Sequence, residues 1–192
     1  SMNQLLIQTP RLLLRPLSIS DCDDFFRYRS LPEVAVYQSF EPMTKEEAQA
    51  FILENSHYHL GMPGEWIQYG IEVRKTNSLI GDFALKLDPE DPQLAELGIT
   101  ISPRHQRKGY AKEALHRVLA YLFGEIGIQR VMAVTDAENE ASIAMLIRVG
   151  FPKEEMIQQE VFFKGKLGKE YHFFLSRAHW KSNQAHTSLE IK

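Results

Sequence analysis

One stretch constrains this chain more than any other: "LAELGITISPRHQRKGYAKEALHRVLAYL", Leu94 to Leu122. Leu94 to Ser102 reads as a strand with Gly98 inside it, and an interior glycine marks a bulge or a close backbone approach. A basic, polar turn follows and ends at Gly109. Ala111, Ala114, Leu115, Val118, Leu119 and Leu122 then fall on one face at helical spacing. A strand that runs through a glycine turn straight into a helix exposes the first N–H groups of that helix, which have no intrahelical partner and sit at the positive end of its dipole. Such a junction suits a phosphate. Gly109 has no Cβ to block close approach, and Arg107 and Lys108 add positive charge. The same residues also suit a plain turn with a solvated face. The stretch is neither a Walker loop, since no Gly-Lys-Ser/Thr follows, nor a dinucleotide fingerprint, which needs an earlier glycine in the turn.

The rest of the chain alternates in the same way. "RLLLRPL" reads as a first strand, and Ser20 with Asp23 opens a helix over "DCDDFFRYR". Thr44 and Glu47 form a capping-box pattern before a helix over "AQAFILENSHYH". His57 and His59, two apart on that helix, diverge and do not chelate. "EWIQYGIEVR" and "LIGDFALKL" form a hairpin, "RVMAVT" is a short apolar strand suited to the centre of a sheet, and "NEASIAMLIRVGF" is a helix closed by Gly150-Phe151. "MIQQEVFF" and "EYHFFLSR" are late strands. The expected fold is a mixed α/β single domain over residues 6–180, with about seven mostly antiparallel strands, a central bulged and splayed pair, and about four helices. Residues 181–192 read as a polar, frayed tail.

A chain of 192 residues with net charge −3 buries a real core and does not favour nucleic acid as a partner. Cys22 is the only cysteine, so no intrachain disulfide forms, which fits a reducing, cytoplasmic setting. No stretch reaches the ~18 apolar residues of a membrane span, and Ser1-Met2-Asn3-Gln4 does not open a signal peptide. No metal cluster stands out, so no metal is expected.

Gln106-Arg107-Lys108-Gly109-Tyr110-Ala111 resembles the acyl-CoA pyrophosphate loop of the GNAT superfamily of N-acetyltransferases, Gln/Arg-x-x-Gly-x-Gly/Ala. "AELGITISP" resembles the bulged strand before that loop, and "DAENEASIAMLIRVGF" the next strand–helix junction. "IQTPRLLLRPLSISD" and "GKEYHFFLSRAHW" resemble the branch that contains ribosomal-protein N-terminal acetyltransferases. The resemblance implies acetyl-CoA as co-substrate and a primary amine as acceptor. It puts the pyrophosphate on backbone amides from Arg107 to Lys112 and the pantetheine beside Ile99 to Ile101. Asn139 is either a helix N-cap, a pantetheine contact, or both. Ser142 either bonds backbone or assists the cofactor sulfur. Leu146 occupies the position where many members carry a tyrosine acid.

The amine must be neutral to attack a thioester, and an α-amine, with pKa ~7.7–8.0, asks less of a base than a lysine-type amine near ~10.4. Glu160 in "QQEVFF" is the first candidate base, by its resemblance to a glutamate of the ribosomal branch, and Glu96 is the second. Each is also readable as a solvated strand carboxylate, and Glu113 as a support of the loop. The expected acceptor is a protein N-terminal α-amine. The alternatives are a small amine, such as a polyamine or an aminoglycoside, and a non-catalytic acyl-CoA sensor. The aromatic late strands suit a homodimer contact.

Overall fold

The structure, a computed structural model, describes residues 5–37 and 43–191, with side chains through 185. The reading of Ser1–Gln4 lies outside these residues. One sheet organises the chain, in the order β1 (Ile7–Gln8), β2 (Leu12–Pro16), β3 (Ile67–Val73), β4 (Ser78–Leu87), β5 (Leu94–Ile101), β6 (Arg130–Asp136), β8 (Lys166–Ser176), β7 (Ile157–Phe163). Every neighbouring pair is antiparallel except β5 and β6. Six α-helices are described: α1 (Cys22–Arg29), α2 (Pro32–Ala35), α3 (Lys45–Asn55), α4 (Tyr110–Ala120), α5 (Glu140–Val149) and α6 (Arg177–Ile191). Helix α4 widens into a π-helical segment at Tyr121–Ile126.

Alternation along the strands sorts side chains onto two faces. Ala95, Leu97, Val131, Ala133, Phe173 and Leu175 join Ala114, Leu115, Val118 and Leu119 of α4 and Leu146 and Val149 of α5 in the main core. A smaller core holds α1 and α3 over the opposite face of the sheet, with Phe25, Tyr28, Ala48 and Ile52 around Leu17 and Leu79. The Thr44–Glu47 capping box is present, each side chain bonded to the other's backbone N–H at 3.0–3.1 Å.

The structure adjusts several expectations. The first helix is not opened by Ser20 and Asp23. Its lead-in turn is closed two residues earlier, where the Ser18 N–H donates to Asp21 at 2.8 Å and Asp21 is gripped by both terminal nitrogens of Arg15. His57 and His59 lie past the end of α3. Strand β1 and helix α2 are too short to leave a periodic signal. Residues 181–191 continue α6, so a boundary at 180/181 falls inside a helix. That helix is held by its first turns: Trp180 packs on Phe123 at 5.3 Å, Arg177 Nε donates to the Phe123 carbonyl at 3.0 Å, and Asn183 donates to Gly150 at 3.4 Å.

Gly98 is not a bulge against β4, because that register runs unbroken from Leu87↔Ala95 through Ala84↔Gly98 to Gly81↔Ile101. The irregularity in this part of the sheet is between β3 and β4, where Ile71 pairs with Gly81 but Glu72 with Leu79. The glycine required by close approach is Gly81, where a Cβ would stand 2.3 Å from the Thr100 carbonyl oxygen. The interruption at β5 is on its other side. Its parallel pairing with β6 covers only Leu94↔Arg130, Ala95↔Val131 and Glu96↔Met132, and beyond these the two strands part.

Candidate active site

The basic turn after β5 is a built object. Gly109 caps α4 in the left-handed region, φ 80° and ψ 6°, and Arg107 is left-handed as well, φ 64°. The first intrahelical bond is Glu113 N–H to the Gly109 carbonyl at 3.0 Å, so the N–H groups of Tyr110, Ala111 and Lys112 precede the ladder. Gln106 Nε2 donates to the Ile101 carbonyl at 3.0 Å and ties the turn to its strand. Arg107, Lys108 and Lys112 are exposed beside it. The positive field reaches His105: burial first, then Lys108 and Arg104, push its imidazole below the ordinary 6.5.

The loop is also braced from behind by residues that the sequence reading had not singled out. Arg11 donates through Nη1 to the Lys108 carbonyl at 2.8 Å and through Nε to Glu113 at 2.7 Å, and its guanidinium lies 4.4 Å from the Tyr110 ring centroid. Thr9 Oγ1 donates to Glu113 at 2.5 Å. Burial pushes the Glu113 carboxyl up, but the hydrogen bonds from Thr9 and Arg11 outweigh it and hold the group below its ordinary value. Glu113 thus supports the loop from the first turn of α4.

Beyond the loop lies the gap between β5 and β6. Where Glu96 and Met132 end the pairing, Leu97 to Ile101 lose their neighbour on that side. The geometry fits an extended chain that needs backbone partners, with an anion cradle at its end. Ile101 is buried in the core, while the stretch Gly98, Ile99 and Thr100 lines a cavity of about 440 Å³. A Cβ on Gly98 would meet nothing within 4 Å, so this part of β5 looks onto open space. The N-terminus of α5 stands at the far end of β6. Asn139 caps it, its Oδ1 accepting from Ser142 N–H at 3.2 Å, and Ser142 is half-buried. Leu146 is buried in the main core, where it offers no proton.

The two candidate bases occupy different settings. Cross-strand partners share a face, which places Glu96 with Lys86, Met132 and Phe174 on the face opposite α4 and α5. Burial pushes its carboxyl up, and Lys86, 3.8 Å away, and His172 partly offset this. Glu96 lies two residues, ~7 Å along the strand, from Gly98 on that same face. Glu160 is exposed on the edge strand β7. It pairs with Lys169, in step with Tyr171 and Phe173, and so belongs to the opposite face. It borders a second, wider cavity of about 770 Å³ between α2, the end of β6 and the β7–β8 hairpin.

The first cavity is lined from α1, α3, β3, β4 and β5, and its floor is a buried polar cluster absent from the sequence reading. Asp82 is fully buried. It accepts from Arg29 Nη2 at 2.7 Å, from Gln68 Nε2 at 2.5 Å and from the Tyr28 hydroxyl. Burial first, then Asp82, push the Tyr28 phenol well up, so it remains a donor. Phe51, Tyr58, Trp66 and Met43 form apolar walls, and Glu54 and Asn55 the polar rim. The only trace of the cluster in the sequence was an aspartate inside the apolar run "LIGDFALKL". Among the described residues no group of three His, Cys, Asp or Glu could hold a metal, and no helix is long and apolar enough to cross a membrane.

A strand that parts from its parallel neighbour above a helix N-terminus is the arrangement of an acetyl-CoA-dependent acetyltransferase. The family model for the acetyltransferase (GNAT) domain matches residues 11–152, and the chain belongs to that family. It is 34% identical over 160 residues to the N-acetyltransferase YoaA of Bacillus subtilis, itself uncharacterised, across 83% of this chain and 90% of the relative. It is 31% identical over 130 residues to the spermidine N(1)-acetyltransferase of Vibrio cholerae, across 68% and 69%. Similar folds include spermidine N-acetyltransferase from Vibrio cholerae in complex with CoA and spermine, at TM-score 0.74 and 21% identity over 90% of this chain and 99% of that one. The ribosomal-protein-S5-alanine acetyltransferase from Vibrio fischeri superposes at TM-score 0.73 and 17% identity over 92% and 98%.

Proposed function

We propose that this N-acetyltransferase moves the acetyl group of acetyl-CoA to a single primary amine, the α-amine of a peptide, seated in the cavity beside Gly98 to Thr100. The carrying observation is that β5 loses its β6 partner right after Glu96, between a braced anion loop and that cavity. Acetyl-CoA supplies the activated thioester. The N–H groups of Gly109 to Lys112, with Arg107 and Lys108, would hold the pyrophosphate, and the exposed backbone of Leu97 to Ile101 would pair with the pantetheine. Asn139 keeps α5 capped at the far side of the gap, and Ser142 is the hydroxyl available to the leaving sulfur.

Glu96 is the base we favour. It lies on the cavity face, and its raised pKa makes it a better proton acceptor than an ordinary carboxylate, acting directly or through one water. Glu160 is the alternative and lies on the other face.

Charge argues for a monoamine. Arg29 and Asp82 cancel, Lys86 and Glu96 face each other, and Glu54 is left as the one uncompensated carboxylate among the described lining residues. A polyamine, with several cations, wants several such carboxylates. The spermidine-acetylating relative favours that second reading all the same. For a partner copy, the surface we favour is the β7–β8 hairpin, where Phe162 and Leu167 are cross-strand neighbours and both largely exposed; a monomer in sedimentation at high micromolar concentration would end that idea.

The test is free-thiol release from acetyl-CoA over a panel of peptides with free and blocked N-termini, spermidine and an aminoglycoside. Free α-amines should give the highest kcat/KM. Spermidine ahead of every peptide would replace the acceptor. Binding of acetyl-CoA without thiol release to any amine would make the chain an acyl-CoA sensor.

A further inference from the structure

We propose that Arg11, on the turn between β1 and β2, is a positioning residue of the cofactor loop: it holds the Lys108 carbonyl and thereby turns the Gly109 N–H toward the bound phosphate. The inference rests on the acetyl-CoA reading above and adds a residue far from the loop in sequence.

The geometry runs from the backbone outward. Every described peptide bond is trans, so the carbonyl of Lys108 and the N–H of Gly109 point in opposite directions across one plane. Arg11 Nη1 takes that carbonyl at 2.8 Å, and the Gly109 N–H must then point away from Arg11. The loop needs this restraint. Arg107 carries a side chain in the left-handed region, φ 64°, which residues other than glycine seldom occupy. It is pinned on both sides, by Gln106 bonded to the Ile101 carbonyl and by Lys108 bonded to Arg11.

Arg11 is itself fixed. Its Nε and its backbone N–H both donate to Glu113, at 2.7 and 2.9 Å, and its guanidinium stacks on Tyr110. The turn behind it is rigid: the Thr9 hydroxyl donates to Glu113, and Arg74 donates to the carbonyls of Thr9 and Arg11. The planar fork of arginine is what spans the Lys108 carbonyl and the Glu113 carboxylate at once, which a lysine ammonium does not reproduce.

The test compares two thioesters in wild type, Arg11→Met and Arg11→Lys: acetyl-CoA, and S-acetyl-pantetheine, which lacks the pyrophosphate. Both variants should raise KM for acetyl-CoA about tenfold or more, the usual cost of losing a charge-assisted hydrogen bond, with kcat within about twofold. Their kcat/KM for S-acetyl-pantetheine should stay within about twofold of wild type. Equal losses with both thioesters would mean general damage, and an Arg11→Lys variant with wild-type KM would mean that charge alone suffices; either result overturns the proposal, as does no loss. If Arg11→Met does not fold, Arg11→Lys carries the same comparison. A wild-type chain that turns over neither thioester fails the acetyl-transfer reading instead.

Discussion

The cofactor end and the acceptor end of the gap are built from different materials. At the cofactor end the working groups are backbone N–H groups from one continuous stretch, shaped by left-handed Arg107 and Gly109 and braced by Arg11, Thr9 and Glu113. At the acceptor end they are side chains: Arg29 from α1, Asn55 from α3, Gln68 from β3, Asp82 from β4 and Thr100 from β5. The first kind of site serves one fixed ligand and depends on conformation. The second depends on which side chains meet, so it can change its acceptor while the cofactor loop stays as it is.

Breaking the two ends separately should give separate symptoms. The largest effect is expected at the junction. Glu96→Gln should lower kcat by ~10²–10⁴-fold with acetyl-CoA affinity unchanged, and the loss should shrink at high pH as more acceptor amine is already neutral. Because burial raises the Glu96 pKa, the wild-type kcat should fall on the acid side through a value above the ordinary 4.5, and this limb should vanish in Glu96→Gln. Glu160→Gln should cost less than about tenfold; the reverse order in pH-resolved steady-state kinetics would hand the role to Glu160.

Next comes the acceptor floor. Asp82→Asn leaves Arg29 buried without its carboxylate, and breaking a buried ion pair costs about 3–5 kcal/mol, to be read by denaturant unfolding. In whatever fraction stays folded, the KM of the amine should rise while that of acetyl-CoA holds. If both KM values moved together, the two ends would not be independent.

Gly109→Ala is smaller and reports the cofactor end. A left-handed alanine costs ~1–2 kcal/mol, and its Cβ would meet Arg11 Nη2 at 3.2 Å. Acetyl-CoA affinity should fall about tenfold by calorimetry, with the amine KM unchanged.

How much of this was legible beforehand follows from the same contrast. The loop and its helix are legible because a backbone site needs a glycine at a fixed distance from a strand and a helix, and all three are adjacent in the chain, whereas the position of Leu146 is legible only through the resemblance of the α5 stretch to the family. Asp82 was readable only as an oddity in an apolar strand, because its partners lie at 28, 29 and 68 and meet only when α1 folds over β3 and β4. The sequence shows Arg11 only as the start of a strand within a stretch that resembles the family, and gives no sign of a role at the loop, since its bond to Lys108 crosses ninety-seven residues. Glu96 and Glu160 looked alike in sequence and separate only through strand register, which puts them on opposite faces. The helical continuation past Lys181 was hidden because its sequence is polar and its anchors, Trp180 on Phe123 and the hydrogen bonds of Arg177 and Asn183, reach residues far away in the chain.

The smallest effect is at Asn139. Asn139→Ala removes the α5 cap and should cost ~1 kcal/mol of stability. A matching rise in the acetyl-CoA KM would add a cofactor contact to the cap, and an unchanged KM would leave it a cap alone.

The most direct measurement is a crystal structure of the chain with bound CoA. The pyrophosphate should lie on the N–H groups of Gly109 to Lys112, the pantetheine beside Leu97 to Ile101 in the gap, and the sulfur should be directed toward the cavity that Gly98, Ile99 and Thr100 line. CoA bound away from the Gln106–Lys112 loop, or with its sulfur turned from that cavity, would contradict this arrangement.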